Sequence, residues 1–346
     1  MSQSLATKYR PQTFEEVCSQ KSTIKILKKQ TSLRNFTNCY LFAGSTGCGK
    51  TTLARILANE INDYKGAPIE IDGASNNGVD AVRDIIDAAR ERSVDSEYKI
   101  FIVDECHMIT TAGWNAFLKC IEEPPLYTIF MFCTTNPEKV PETIGNRCQR
   151  YNITKVATEE IKQRLIFICE NECAERNQSI TEECLDYISR ISDGCVRQAI
   201  NYLEKVFAYC VGEADITIDD VLNCLGNFSY KAFFDLTNSF IDGDEGKLIN
   251  IIENFYNSGV DLKLFVEQYL DFVLDLTKYC IFKNAEGLKI PSSMIESLNY
   301  TTNIENNINY FNHLLDKILN IKNAIKYDVN NRTTVEIMSI NICRGV

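Results

Sequence analysis

The apolar positions of this chain follow two rhythms, and the change between them falls near Tyr151. Before it, short apolar runs bounded by polar residues recur at Cys39 to Ala43, Ile100 to Val103 and Ile129 to Cys133, and Pro68 to Ile71 gives another short strand. The runs at Ile100 to Val103 and Ile129 to Cys133 are those expected of strands buried on both faces of a parallel sheet. Between them lie helical spacings: Leu53, Ile56 and Leu57 within Thr51 to Ile61, then Val79, Val82, Ile85 and Ile86 after the break at Asn77-Gly78. Strands alternating with helices predict an α/β doubly wound domain. After Tyr151 glycine and proline thin out and only helical patterns follow, first Ile161, Leu165, Ile166 and Cys169, then Leu185, Ile188 and Ile191. Beyond about Asn227 come Phe233, Phe234, Leu236 and Phe240, then Leu264, Phe265, Tyr269, Leu270, Phe272 and Val273, and finally Leu314, Leu315, Ile318, Leu319 and Ile321. The expected division is therefore an α/β core over 1–154, a small helical domain over 155–226 and a second helical domain over 227–346.

Composition adds limits. With 346 residues and 45% hydrophobic content the chain is too long for a single core. It shows neither a secretory signal pattern nor a run of about 20 apolar residues, so a soluble, cytoplasmic protein without a membrane partner is expected. Fifteen cysteines are scattered from Cys18 to Cys343 without a Cys-x-x-Cys pair, and there are only two histidines, His107 and His313. That scatter predicts reduced, mostly buried thiols rather than a disulfide framework or a metal cluster. A net charge of −11 argues against a protein that coats DNA over its whole surface. A local track stays open, because Lys8, Arg10, Lys21, Lys25, Lys28, Lys29, Arg34, Lys50 and Arg55 face only Glu15, Glu16 and Glu60 in the N-terminal segment.

Chemistry concentrates at two strand ends. Gly44-Ser45-Thr46-Gly47-Cys48-Gly49-Lys50-Thr51 sits between a strand and a helix and satisfies the phosphate-loop pattern. Its glycines let backbone N–H groups turn inward around phosphates, Lys50 reaches the β- and γ-phosphates, and the Thr51 hydroxyl is placed to hold Mg²⁺. Thr52 continues the segment into the helix. The run Ile100-Phe101-Ile102-Val103 delivers Asp104 and Glu105 at its C-terminal end, where open α/β sheets bind ligands. Asp104 is expected to contact the hydrated magnesium and Glu105 to activate the attacking water. Alone, such a pair equally ends a strand and caps a helix; the upstream phosphate loop favours the catalytic reading. Phosphoryl transfer also needs positive charge at the γ-phosphate, often an arginine from a neighbouring subunit. Arg147, in Ile144-Gly145-Asn146-Arg147-Cys148-Gln149, is the candidate, and on spacing alone it is equally a surface arginine.

From Leu5 to about Leu203 the chain resembles the clamp-loader AAA+ ATPases: the gamma/tau subunits of bacterial DNA polymerase III and, more distantly, the small subunits of replication factor C. The residues that carry the resemblance are Lys8-Tyr9-Arg10-Pro11-Gln12-Thr13-Phe14, the phosphate loop, Ile69-Glu70-Ile71-Asp72-Gly73-Ala74-Ser75 and Asp104-Glu105-Cys106-His107-Met108. They continue with Asn115-Ala116-Phe117-Leu118-Lys119, Glu122-Glu123-Pro124-Pro125, Thr134-Thr135-Asn136-Pro137, Arg147-Cys148 and Gly194-Cys195-Val196-Arg197. The resemblance implies a P-loop AAA+ core with a parallel sheet, a helical lid and an all-α collar that oligomerises. It implies that Tyr9, Arg10, Pro11 and Val17 line the adenine pocket, that Thr135 senses the γ-phosphate, that Arg147 acts on a neighbour's ATP and that Arg197 is a second sensor. It implies sequence-nonspecific contact between primer-template DNA and the Asn76, Asn77 and Gly78 region, through amides suited to phosphate. The implied partners are a sliding clamp and other clamp-loader subunits in a pentameric ring.

Three departures stand out. The four-cysteine zinc module usual after the phosphate-loop helix is missing between Asn59-Glu60-Ile61 and Pro68-Ile69, so no structural zinc is expected. The finger motif reads Asn146-Arg147-Cys148 where serine usually precedes the arginine. The chain ends at Val346, after Asn331-Arg332-Thr333-Thr334-Val335-Glu336, without the longer tau extension, a compact form that suits a virus or a reduced genome. Two other readings are a stator-like subunit that does not hydrolyse ATP and a related motor such as a branch-migration helicase. Intact Lys50, Thr51, Asp104 and Glu105 weigh against the first; Arg147-Cys148 and the long helical C-terminal region weigh against the second.

Overall fold

The computed structural model describes every residue except Met1, Ser2, Asn227, Phe228, Ser258, Val260, Glu286, Tyr327, Val329, Asn330 and Val346, so the expected boundary at Asn227 lies outside the described residues. The chain divides into two compact units, Met1–Ile168 with Ser192–Glu204, and Cys169–Ile191 with Lys205–Val346.

The first unit begins with α1 (Leu5–Lys8), α2 (Lys21–Ser32), β1 (Cys39–Gly44), α3 (Lys50–Ile61), β2 (Ile69–Asp72) and α4 (Val79–Arg90). It continues with β3 (Lys99–Asp104), α5 (Thr111–Glu122), β4 (Thr128–Thr134), α6 (Glu142–Gly145) and β5 (Gln149–Ile153). The strands form one parallel sheet in the order β2-β3-β4-β1-β5. Alternation along each strand builds two cores. Tyr40, Phe42, Ile100, Ile102, Ile129 and Met131 pack with Leu53, Ile56 and Leu57 of α3 on one face. Leu41, Phe101, Val103, Phe130 and Phe132 pack with Val82, Ile85, Trp114 and Phe117 of α4 and α5 on the other. Each fully buried aliphatic or aromatic side chain contributes about 1.5–3 kcal/mol, which explains why these strands read as nearly continuous apolar runs.

The sequence predicts four of these strands. The fifth, β5, pairs with β1 from Tyr40↔Gln149 to Gly44↔Ile153. It buries Tyr151 and Ile153 while Arg150 and Asn152 face outward, as an edge strand does. At its start Cys39 and Cys148 are paired, their Cα atoms 4.7 Å apart, which corrects the expectation of wholly unpaired thiols. The remaining cysteines are free.

Helix ends are fixed by side chains from the sheet. Lys99 Nζ donates at 2.7 Å to the Ala88 carbonyl, which also accepts the Glu91 N–H at 3.2 Å, and the Thr128 hydroxyl donates to the Ala89 carbonyl at 2.8 Å, so side chains of the sheet engage carbonyls of the last turn of α4. Thr110 caps α5 by accepting the Gly113 N–H at 3.2 Å. Pro124-Pro125 follows this helix directly, and proline cannot continue it.

The chain then runs through α7 (Thr158–Arg176), β6 (Ser179–Ile180), α8 (Glu182–Ile191), α9 (Val196–Tyr209), β7 (Asp215–Ile216) and α10 (Ile218–Cys224). In α7 the buried stripe is Ile161, Leu165, Ile168 and Cys169, with Ile168 in the place expected for the half-buried Ile166. The remaining helices are α11 (Tyr230–Asp242), α12 (Glu245–Asn257), α13 (Leu262–Phe282), α14 (Ile295–Thr302), α15 (Asn307–Ile325) and α16 (Asn331–Cys343). The second unit is held by an aromatic cluster, in which Phe233 meets Phe265, Tyr269 and Phe272 at ring-centroid distances of 5.7, 5.6 and 5.4 Å. Leu264 and Leu319, expected within the apolar stripes, are exposed, at 43% and 44%. Among the described residues no helix is long and apolar enough to cross a membrane.

Candidate nucleotide site

The order of the sheet places β4 between β1 and β3, so the loop after β1, the carboxylates after β3 and the threonines after β4 meet at the C-terminal edge. Gly47 and Gly49 have φ of +70° and +105°, backbone that side chains other than glycine rarely adopt. These turns let the loop curl and then start α3 at Lys50. Cys48 is buried and its Sγ donates to the Ser45 carbonyl at 2.9 Å, tying the loop to itself. The side chain of Lys50 is desolvated, with the residue 5% exposed, and its ammonium donates to the Ser45 carbonyl at 2.9 Å. A buried cation whose hydrogen bond goes to a neutral carbonyl suits an anionic ligand.

The Thr51 hydroxyl donates to Asp104 Oδ2 at 2.8 Å, bringing together the hydroxyl and carboxylate expected to hold Mg²⁺. Glu105 follows in a left-handed bend with φ of +46° that ends β3 and starts a short 3-10 turn, Cys106–Met108. A bulky residue in that conformation carries local strain, which occurs preferentially at functional sites. Glu105 Oε2 accepts a hydrogen bond from the Thr135 hydroxyl at 3.0 Å.

One pocket of the first unit is lined by Tyr9, Arg10, Pro11 and Val17 of the N-terminal arm, by Thr46 to Thr52 of the loop, and by Asp104, Glu105 and Arg197. Arg197 stands over the loop, its Cβ 3.5 Å from the position a Cβ on Gly47 would take. Gly44 and Ser45 lie at the start of the loop outside this lining, and Thr135 reaches it through Glu105. Arg147 does not line the pocket. Its Nη1 donates to the Thr143 carbonyl at 2.5 Å and its Nη2 pairs with Glu122 at 2.6 Å, with 39% of the side chain exposed.

Several lining residues escape the sequence reading: Ala6, Cys18, Val156, Arg164, Val196 and Ile200. Arg164 donates from Nη2 to the Tyr9 carbonyl at 2.7 Å and stacks its guanidinium over Phe167, 5.0 Å from the ring centroid. It thereby fixes the arm that closes the pocket. The I-x-x-R-L spacing of Ile161 to Leu165 is the only local signal, and it reads as an ordinary amphipathic helix.

The segment expected to track DNA is an ordered turn. Asp72 accepts hydrogen bonds from the Ala74 N–H at 3.0 Å and the Ser75 hydroxyl at 2.7 Å, contacts that hold its carboxyl below the usual range. The Asn76 side chain donates to the Asp72 carbonyl at 3.1 Å, the Asn77 carbonyl accepts the Thr110 N–H at 3.0 Å, and Gly78 precedes α4. Asp72 and Asp80 place negative charge beside it, so phosphate contact there would rely on backbone amides.

The family profile for DNA polymerase III, delta subunit, matches residues 68–157, and that for DNA polymerase III subunits gamma and tau domain III matches residues 216–342. A DNA polymerase III subunit gamma of Buchnera aphidicola subsp. Acyrthosiphon pisum is 30% identical over 296 residues, covering 80% of each chain. The chain belongs to the DNA polymerase III gamma and tau family. Two further members of that family are the subunit tau of Bacillus subtilis, 33% identical over 83% of this chain, and the subunit gamma/tau of Mycoplasma genitalium, 30% identical over 87% of it. The chain spans about half the length of these two relatives, 53% of each. All three are bacterial proteins and lend no support to a viral source. Among solved structures, the RuvB Holliday junction branch migration motor of Thermotoga maritima superposes with a TM-score of 0.53 at 20% identity, covering 76% of this chain and 90% of that one. At that identity the likeness carries the fold alone: a parallel sheet flanked by helices with a helical region after it.

Proposed function

We propose that this chain is a clamp-loader ATPase subunit, coupling ATP binding and hydrolysis to the opening and loading of a sliding clamp on primer-template DNA in the cytoplasm. The observation that carries the reading is the convergence of Lys50, Thr51, Asp104, Glu105 and Arg197 on one pocket while Arg147 is held outside it. The loop amides and Lys50 would bind the phosphates, and Thr51 and Asp104 would hold Mg²⁺, which supplies charge neutralisation at the phosphoryl oxygens. Glu105 would take the proton of the attacking water. Thr135 would hold that carboxylate in place, and Tyr9, Arg10, Pro11 and Val17 would enclose the base. Arg147 would serve a neighbour's nucleotide, so the reading includes a ring of subunits, taken as a pentamer. The division into an ATPase core over 1–154, a lid over 155–226 and a collar over 227–346, and DNA tracking by Asn76, Asn77 and Gly78, belong to the same proposal.

Arg147→Ala is expected to assemble normally and to lose about a thousandfold in turnover, the low end for a catalytic arginine supplied in trans. The assay is steady-state ATPase of the assembled complex with clamp and primed DNA, and wild-type turnover there removes the assignment. In the same assay, joint stimulation by clamp and primed DNA is expected; stimulation by a four-way junction alone would favour the branch-migration reading.

The proposal also excludes a structural zinc. Among the described residues, Cys210, Glu213 and Asp220 bring their ligand atoms within 4.8 Å of one another. Asp220, however, is engaged in the capping box of α10 with Thr217. Elemental analysis of the purified protein should find no stoichiometric zinc; one tightly bound equivalent would count against this part of the reading.

A further inference from the structure

The motif Asp104-Glu105-Cys106-His107-Met108 contributes two carboxylates to the proposed mechanism, which leaves His107 without a role. Its imidazole is nearly buried, with 9% of the side chain exposed, and lies on the short turn that follows Glu105. Nδ1 is 3.3 Å from Glu105 Oε2 and 3.2 Å from the Thr134 hydroxyl. The Thr134 oxygen also accepts the Asn136 N–H at 3.0 Å. A bare nitrogen lone pair facing a carboxylate oxygen would be repelled, so this arrangement calls for the tautomer with hydrogen on Nδ1.

Glu105 is then gripped through one oxygen. Thr135 Oγ1 and His107 Nδ1 both approach Oε2, and no bond to Oε1 is formed among the described residues. The left-handed backbone at Glu105 aims the side chain, the Thr135 hydroxyl donates to Oε2, and the His107 ring lies against the same oxygen with Nδ1 at 3.3 Å while its hydrogen bond is made with Thr134. We infer that His107 is a positioning residue for the hydrolytic step: with Thr135 it clamps Glu105 Oε2 and so presents Oε1 to the attacking water. A base oriented by a third group is a recurrent arrangement wherever a side chain must take a proton from a fixed direction. The inference rests on the reading of Glu105 as the base.

The test replaces His107 with alanine, asparagine and glutamine and measures ATP turnover in the assembled complex with clamp and primed DNA. The amide nitrogen of asparagine can occupy the place of Nδ1, whereas that of glutamine falls one bond further out, near Nε2. His107→Ala should lower kcat on the order of tenfold, with KM for ATP and nucleotide binding by the free chain unchanged. His107→Asn should recover most of the loss and His107→Gln little of it. Wild-type kcat in His107→Ala overturns the inference, as does equal rescue by asparagine and glutamine, since a packing role does not distinguish them. Should the alanine variant fail to assemble, the comparison of asparagine with glutamine still decides. Glu105→Gln, run alongside, separates the two levels: full turnover there refutes the base itself, whereas its loss beside an indifferent His107 refutes only the positioning role.

Discussion

Glu105→Gln is expected to bind ATP within about twofold of wild type and to turn it over 10² to 10⁴ times more slowly, the range for losing a general base. The substitution is nearly isosteric. The amide oxygen can still accept from the Thr135 hydroxyl, which donates to Glu105 Oε2 at 3.0 Å, so the local packing has no reason to change. What disappears is the ability to take a proton. The phosphates would be held on the other side of the pocket, by the loop amides and Lys50, so affinity should survive. Equilibrium titration with a fluorescent ATP analogue, paired with single-turnover hydrolysis in the assembled complex, reads both quantities. Loss of binding together with turnover would show that Glu105 supports the pocket rather than the chemistry.

Lys50→Ala should have the opposite signature and lose binding itself. The ammonium is desolvated and lies within the phosphate loop, 2.9 Å from the Ser45 carbonyl. Truncating one side of a buried charge-assisted contact costs on the order of 2–5 kcal/mol, or roughly two orders of magnitude in affinity or more. Removing a buried cation whose hydrogen bond among the described residues goes to a neutral carbonyl should not harm the fold, since the ammonium gives up hydration to sit there. A normal thermal transition together with near-absent ATP binding is therefore the expected pair of results. Tight ATP binding by this variant would mean that the loop amides alone suffice, against the reading of the site.

The parts of this molecule legible in its sequence are those where one physical demand dominates. Strands β1, β3 and β4 are buried on both faces, so their apolar runs are unbroken, and the phosphate loop announces itself by glycines that the turn requires. Strand β5 obeys two demands at once. It is an edge strand with Arg150 and Asn152 in solvent, and its alternation over five residues is too short to separate from a loop. The pocket wall is legible only in part for a different reason. Arg164 meets Tyr9 across 155 positions of sequence, and neither bears a local mark of the other; away from the pocket, the same holds for Cys39 and Cys148, 109 positions apart. Tyr9, Arg10, Pro11, Val17 and Arg197 came from resemblance, since nothing in their own neighbourhoods calls for a nucleotide.

The pairing of Arg147 with Glu122, away from this chain's own pocket, has a consequence for how activity depends on dilution. On the proposed reading, a lone chain that holds every group except the arginine would grip a nucleotide yet be a poor hydrolase, so rate per molecule should climb with concentration until an oligomer saturates. Doping wild-type chains with Arg147→Ala should then silence the adjoining subunit while the doped chain itself keeps a working site, making the inhibition directional around the ring.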